Sequence, residues 1–92
     1  MPYIKKEQRE KFDILVDALI ATLDRIRDDK NIAGDLNYVI SRIVWGLFDK
    51  EPSYLNGNEL YGVLTCATAE FYRRKLVPLE DEKIKQNGDL TP

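Results

Sequence analysis

Gly34-Asp35-Leu36-Asn37-Tyr38-Val39-Ile40-Ser41-Arg42 is the stretch on which the fold turns. Gly34 can close one helix in a left-handed cap, and Asp35 can accept hydrogen bonds from the free N–H groups that open the next. One helix ending and another beginning across so short a connection predicts an antiparallel pair. Beyond Asp35, Asn37, Ser41 and Trp45 recur every four residues and share one face. That face is neither an apolar stripe nor a charged one, which marks it as a place where something docks.

Upstream of this stretch, Phe12, Leu15, Val16, Leu19, Ile20, Leu23 and Ile26 have the spacing of a single buried helical stripe. Lys6–Glu10, Glu7–Lys11 and Arg9–Asp13 are spaced for surface ion pairs, each worth about 0.3–0.5 kcal/mol. Asp29-Lys30-Asn31-Ile32-Ala33-Gly34 reads as the connector. Downstream, Leu36, Val39, Ile40, Ile43, Val44, Leu47 and Phe48 form the core face of a second helix. Gly46 lies inside it at a cost of about 1 kcal/mol against Ala, which a close helix–helix approach or plain tolerance would explain.

Lys50 to Gly57 reads as a loop, in which Pro52 stops the helix, Asn56-Gly57 turns the chain, and Tyr54 and Leu55 fold back onto the body. Asn58 then caps a third helix whose core stripe is Leu60, Val63, Leu64, Ala67 and Phe71. Tyr61, Thr65, Thr68 and Tyr72 form a half-polar stripe beside it, and Arg73, Arg74 and Lys75 suit the dipole at its C-terminus. Pro78 breaks or kinks the chain. A short fourth helix follows, acidic first and basic last, ended by Asn87-Gly88. No strand pattern persists. The expectation is one all-α domain over 1–92, a small helical bundle of three main helices plus a short C-terminal one, at about 7–29, 36–49, 58–76 and 79–86.

Composition narrows the chemistry. Fourteen Lys and Arg against sixteen Asp and Glu leave a net charge of −2, which argues against general nucleic-acid binding. His is absent and Cys66 is the one cysteine, so His-based triads, Cys/His zinc sites and intrachain disulfides are excluded. Cys66, flanked by Thr65 and Ala67, reads as a small buried residue in a reducing compartment. There is no Gly-rich phosphate loop, and the chain is read as a non-enzyme without a cofactor. No apolar run has the length of a signal peptide core or a membrane span, so the expectation is a soluble, cytoplasmic protein.

Three constellations remain. Asp13, Asp17, Asp24 and Asp28 share a helical face, read as a solvated surface in preference to a metal site. Tyr72, Arg73, Arg74 and Lys75 follow Glu70. They read either as an anion site with Tyr61, Tyr72 or Trp45 as stacking surface, or as a helix end with a Glu70–Arg74 pair. Asn37, Tyr38, Ser41, Arg42 and Trp45 would line a ligand pocket or an oligomer interface, or else bond within the chain.

Met1-Pro2-Tyr3-Ile4, the Gly34–Arg42 stretch, Glu70-Phe71-Tyr72-Arg73-Arg74, Glu80-Asp81-Glu82-Lys83-Ile84 and Asn87-Gly88-Asp89 together resemble a family of small proteins of unknown function from phages, prophages and environmental viral sequences. The resemblance covers nearly the whole chain. Members usually carry Thr in place of Ser41, which keeps the hydroxyl, and often Tyr in place of Leu79. The resemblance implies an accessory protein in the cytoplasm of a bacterial host. The leading expectation is a self-associating protein that holds a small phosphorylated nucleotide between protomers. In that reading Arg42, Arg73 and Arg74 meet phosphate, Tyr38, Trp45 or Tyr72 stacks a base, and Asn37 with Ser41 reads polar edges. The alternative is a protein–protein interaction module that inhibits or redirects a host protein through Tyr54, Leu55 and Trp45.

Overall fold

Helical hydrogen bonding organises nearly all of the residues described by the computed structural model, 4–26 and 32–91, and no strand occurs among them. The fold is all-α, with three main helices and a C-terminal helix joined to the third, as the periodicity predicts. The helices are α1 (Glu10–Ile26), α2 (Ile32–Lys50), α3 (Tyr54–Phe71) and α4 (Val77–Asn87). By its contacts the chain divides into two units, Met1–Lys50 and Glu51–Pro92.

In the first unit a short 3₁₀ turn, Lys6–Gln8, precedes α1. Its tighter winding takes Lys6–Glu10 and Glu7–Lys11 out of α-helical register, and Arg9 donates its Nε–H to the Ile4 carbonyl at 3.1 Å. None of the three expected ion pairs forms among the described residues, where Glu70–Arg73 is the one salt bridge. The expected end of the first helix near Asp29, and most of the connector, lie outside the described residues.

α2 starts earlier than its sequence signals imply. Gly34 and Asp35 lie in its first turn, and among the described residues only Gly88 has a positive φ. Gly34 is therefore no left-handed stop and Asp35 no cap. Ile32 and Ala33 accept helical geometry, and Asp35 sits where the N-terminal dipole favours a carboxylate. A Cβ at Gly46 would meet nothing within 4 Å, so no close approach there requires glycine.

The third helix is capped by Ser53, not Asn58. Ser53 is extended (φ −160°, ψ 160°) and its Oγ accepts from the Asn56 N–H at 3.0 Å. Asn56 Nδ2 donates back to the Glu51 carbonyl at 3.1 Å, so Asn56-Gly57 lies within the first turn of α3 and makes no reverse turn. Tyr54 and Leu55, expected to fold back, are 93% and 72% exposed.

Nor does Pro78 break the chain. Tyr72–Leu76 forms a π-helical turn that carries α3 into α4, with the Val77 N–H reaching back five residues to the Tyr72 carbonyl. Pro78 then falls in the first turn of α4, where a missing N–H costs little. Arg73, Arg74 and Lys75 consequently sit within a continuing helix, not at a C-terminus. α4 does end as expected: Gly88 adopts φ 84° and donates its N–H to the Ile84 carbonyl at 2.8 Å.

The apolar stripes are present, yet no described residue is buried. Leu23, Val39, Val44, Phe48 and Leu60 are half-buried; Phe12, Leu15, Val16, Leu36, Ile40, Ile43 and Leu47 are exposed. Amphipathic spacing identifies the face that gains from cover; it does not supply the cover.

Candidate functional site

Three successive turns of α2 build the most distinctive feature of the first unit. Gly34, Asn37, Tyr38, Ser41, Arg42 and Trp45 line an open groove of about 340 Å³. Their i, i+3, i+4 spacing puts them on one face. Two local bonds hold the polar groups in place: Ser41 Oγ donates to Asn37 Oδ1 at 3.3 Å, and Arg42 Nη1 donates to the Tyr38 hydroxyl at 2.8 Å. The Arg42 guanidinium carbon also lies 5.7 Å from the centroid of the Tyr38 ring, within cation–π range. Tyr38 and Trp45 are both well exposed.

Tyr38 has a second role. With Leu19, Thr22 and Leu23 of α1 and Asp35 and Val39 of α2, it lines a smaller cavity of about 170 Å³. The phenol thus lines both the α1–α2 contact and the groove, so packing at that contact bears on the guanidinium bonded to it.

Tyr72, Arg73 and Arg74 lie in the other unit, on the π turn. Arg73 Nη2 grips both carboxylate oxygens of Glu70, at 2.9 and 3.2 Å. The expected Glu70–Arg74 pair is thereby replaced by an i,i+3 pair. Arg74 is exposed and makes no ion pair or hydrogen bond among the described residues. A hydrogen bond to the Glu80 carboxylate, then the charge of that carboxylate, and least its slight desolvation hold the Tyr72 phenol above its ordinary pKa. Of the eight candidate residues, five surround the α2 groove and three belong to this separate segment.

Over residues 1–90 the sequence matches a family described as a domain of unknown function, DUF6899. The chain belongs to the DUF6899 family. Neither curated proteins nor solved structures yielded a match.

In this DUF6899 domain the groove has the chemistry of recognition. Arg42 uses one N–H on Tyr38, and the rest of its fork has donors of the kind an anion accepts; Tyr38 and Trp45 offer ring faces, and Asn37 with Ser41 offers an amide and a hydroxyl. Asp13, Asp17 and Asp24 are exposed, and no group of three carboxylate or Cys residues is placed to hold a metal among the described residues; Asp28 lies outside them. Cys66 is half-buried where full burial was expected. No helix among the described residues is long and apolar enough to cross a membrane. Sequence reasoning missed the influence of Glu80 on Tyr72, because positions eight residues apart lie about 12 Å apart along an unbroken α-helix. It also missed the α1 side of the Tyr38 cavity, because a contact between helices leaves no local signal.

Proposed function

We propose that this DUF6899 protein is a non-enzymatic accessory protein of phage type that self-associates and binds a small phosphorylated nucleotide along α2. In that role it sequesters a cyclic or ADP-ribose-type signal of bacterial immunity in the host cytoplasm. The observation that supports this reading best is the groove itself: one guanidinium, two exposed rings and an amide–hydroxyl pair converge on about 340 Å³ of open space. Phosphate, base and polar edges each have a matching group. Arg42 is the phosphate ligand in this proposal. Arg73 is not, because Glu70 already takes its charge.

The test is native mass spectrometry of the purified protein, mixed in turn with a panel of cyclic dinucleotides, cyclic trinucleotides and ADP-ribose derivatives. The expected result is one ligand mass per chain for one class of the panel. Arg42→Ala should weaken that binding by about tenfold or more, the loss of a charge-assisted hydrogen bond worth about 1.5–3 kcal/mol. Unchanged binding in Arg42→Ala would remove the groove from consideration.

A second reading rests on a different observation. Tyr54 and Leu55, at 93% and 72% exposed, put an aromatic and an aliphatic side chain into solvent at the start of α3. That pair suits an interaction module engaging a host protein. If no nucleotide binds, and Tyr54→Ala with Leu55→Ala abolishes capture of one defined host protein, the interaction module replaces the nucleotide reading.

A further inference from the structure

On α2, Leu36, Ile40, Ile43 and Leu47 fall at spacings of four, three and four, those of a coiled-coil seam. They are 42%, 40%, 49% and 54% exposed. At about 100° per residue the four share one side of the helix. Asp35, Arg42 and Asp49, seven residues apart, share another. The seam side therefore carries no charge from Ile32 to Asp49.

The stripe also reads the same from either end. Its residues run Leu, Ile, Ile, Leu, and its spacing is symmetric about the midpoint between Ser41 and Arg42. A two-fold axis there sets Leu36 against Leu47 of a second copy, and Ile40 against Ile43. A self-complementary interface has this property: the same patch meets itself, with like-sized partners in register. We infer that α2 pairs antiparallel with α2 of a second copy through Leu36, Ile40, Ile43 and Leu47. This names the seam of the self-association proposed above, and rests on that reading.

The stripe has the area of an interaction patch, and supplies a little under half of the 800 Å² or so that a standard interface takes from each partner. The four side chains leave roughly 350 Å² of apolar surface open, the size at which a patch marks an interaction site.

Two measurements test the seam. By native mass spectrometry the protein should hold an even number of chains. Ile43→Glu, which sets a carboxylate beside Ile40 of the second copy, should halve that number. Ile14→Glu, at a position 80% exposed and on α1 outside the stripe, should leave it unchanged. The second measurement does not depend on how Ile43→Glu folds. In a Cys66→Ala background, chains with Leu36→Cys are mixed with chains carrying Leu47→Cys and treated with a short bismaleimide. The mixture should give covalent dimers and either chain alone should not, because eleven residues of helix put like positions about 16 Å apart along the axis. Cross-linking of Leu36→Cys alone, or an odd number of chains, overturns the antiparallel seam. An unchanged chain number in Ile43→Glu overturns it too, while self-association stands. A native mass of one chain overturns self-association and the seam together.

Discussion

Replacing Ser53 with Ala tests where α3 begins. Ser53 Oγ accepts the Asn56 N–H at 3.0 Å and is the one side chain capping the start of α3. The first turn of α3 carries no acidic residue to take over that role. The site is exposed, so the freed N–H turns to water and the full penalty of an orphaned buried donor does not apply. The expected cost is thus the middle of the N-cap range, about 1 kcal/mol, which lowers the melting temperature by about 4–8 °C for a domain of this size. Ser53→Asp keeps an acceptor and adds a charge that the helix dipole favours, so it should match or exceed the parent stability. Asn58→Ala provides the contrast, and its sign differs between the two readings. Inside α3 it should gain up to about 0.7 kcal/mol from helix propensity; as a cap it would lose about 1 kcal/mol. Urea unfolding followed by circular dichroism, at fixed protein concentration because association adds to apparent stability, measures all three. A Ser53→Ala variant at parental stability beside a weakened Asn58→Ala would refute the assignment.

Gly46→Ala should stabilise the chain by about 0.5–1 kcal/mol in the same urea assay, since a Cβ there meets nothing within 4 Å; a loss of stability would show that another chain lies over Gly46. Tyr72 supplies a pH dependence. The Glu80 carboxylate favours the neutral phenol, so the folded pKa lies above the unfolded value. The stabilisation is therefore complete below about pH 10, the ordinary tyrosine pKa, and is lost as pH rises through the raised value. Ultraviolet titration of tyrosinate should show the highest-titrating phenol moving down in Glu80→Gln; superimposed curves would deny the bond.

Local spacing made part of this molecule legible and left the rest hidden. The helical class was readable because an apolar position every three or four residues admits no strand. Five of the eight candidate residues met around one groove because i,i+4 proximity is a property of one helix, independent of packing. Boundaries were harder. Gly34-Asp35 is as compatible with the first turn of a helix as with a stop and a cap, and only the backbone of Ile32 and Ala33 decides. Ser53 and Asn58 are both good caps, and the choice fell to an Asn56 side chain that closes the turn onto Glu51. The π turn was invisible because it depends on one backbone N–H choosing a carbonyl five residues back. Burial was the largest miss: periodicity marks the faces that gain from cover, whereas their exposure depends on what else is present.

α2 carries two faces, and their separation bears on how the proposed functions combine. The groove residues centre roughly 160° around the helix from the Leu36–Leu47 stripe, at about 100° per residue. If the stripe pairs two copies, both grooves point away from the seam and each chain keeps a whole one. The expectation of a ligand held between protomers then gives way to one ligand per chain, bound whether or not the copies pair. Ile43→Glu separates the cases, since Ile43 lines the seam and not the groove. Isothermal titration of that variant with the nucleotide found by mass spectrometry should return the parental stoichiometry, and a dissociation constant within about threefold of the parent, a difference of about 0.6 kcal/mol. A hundredfold weakening in a variant that stays helical and becomes monomeric would place the ligand between protomers. The groove would then be only one half of the site.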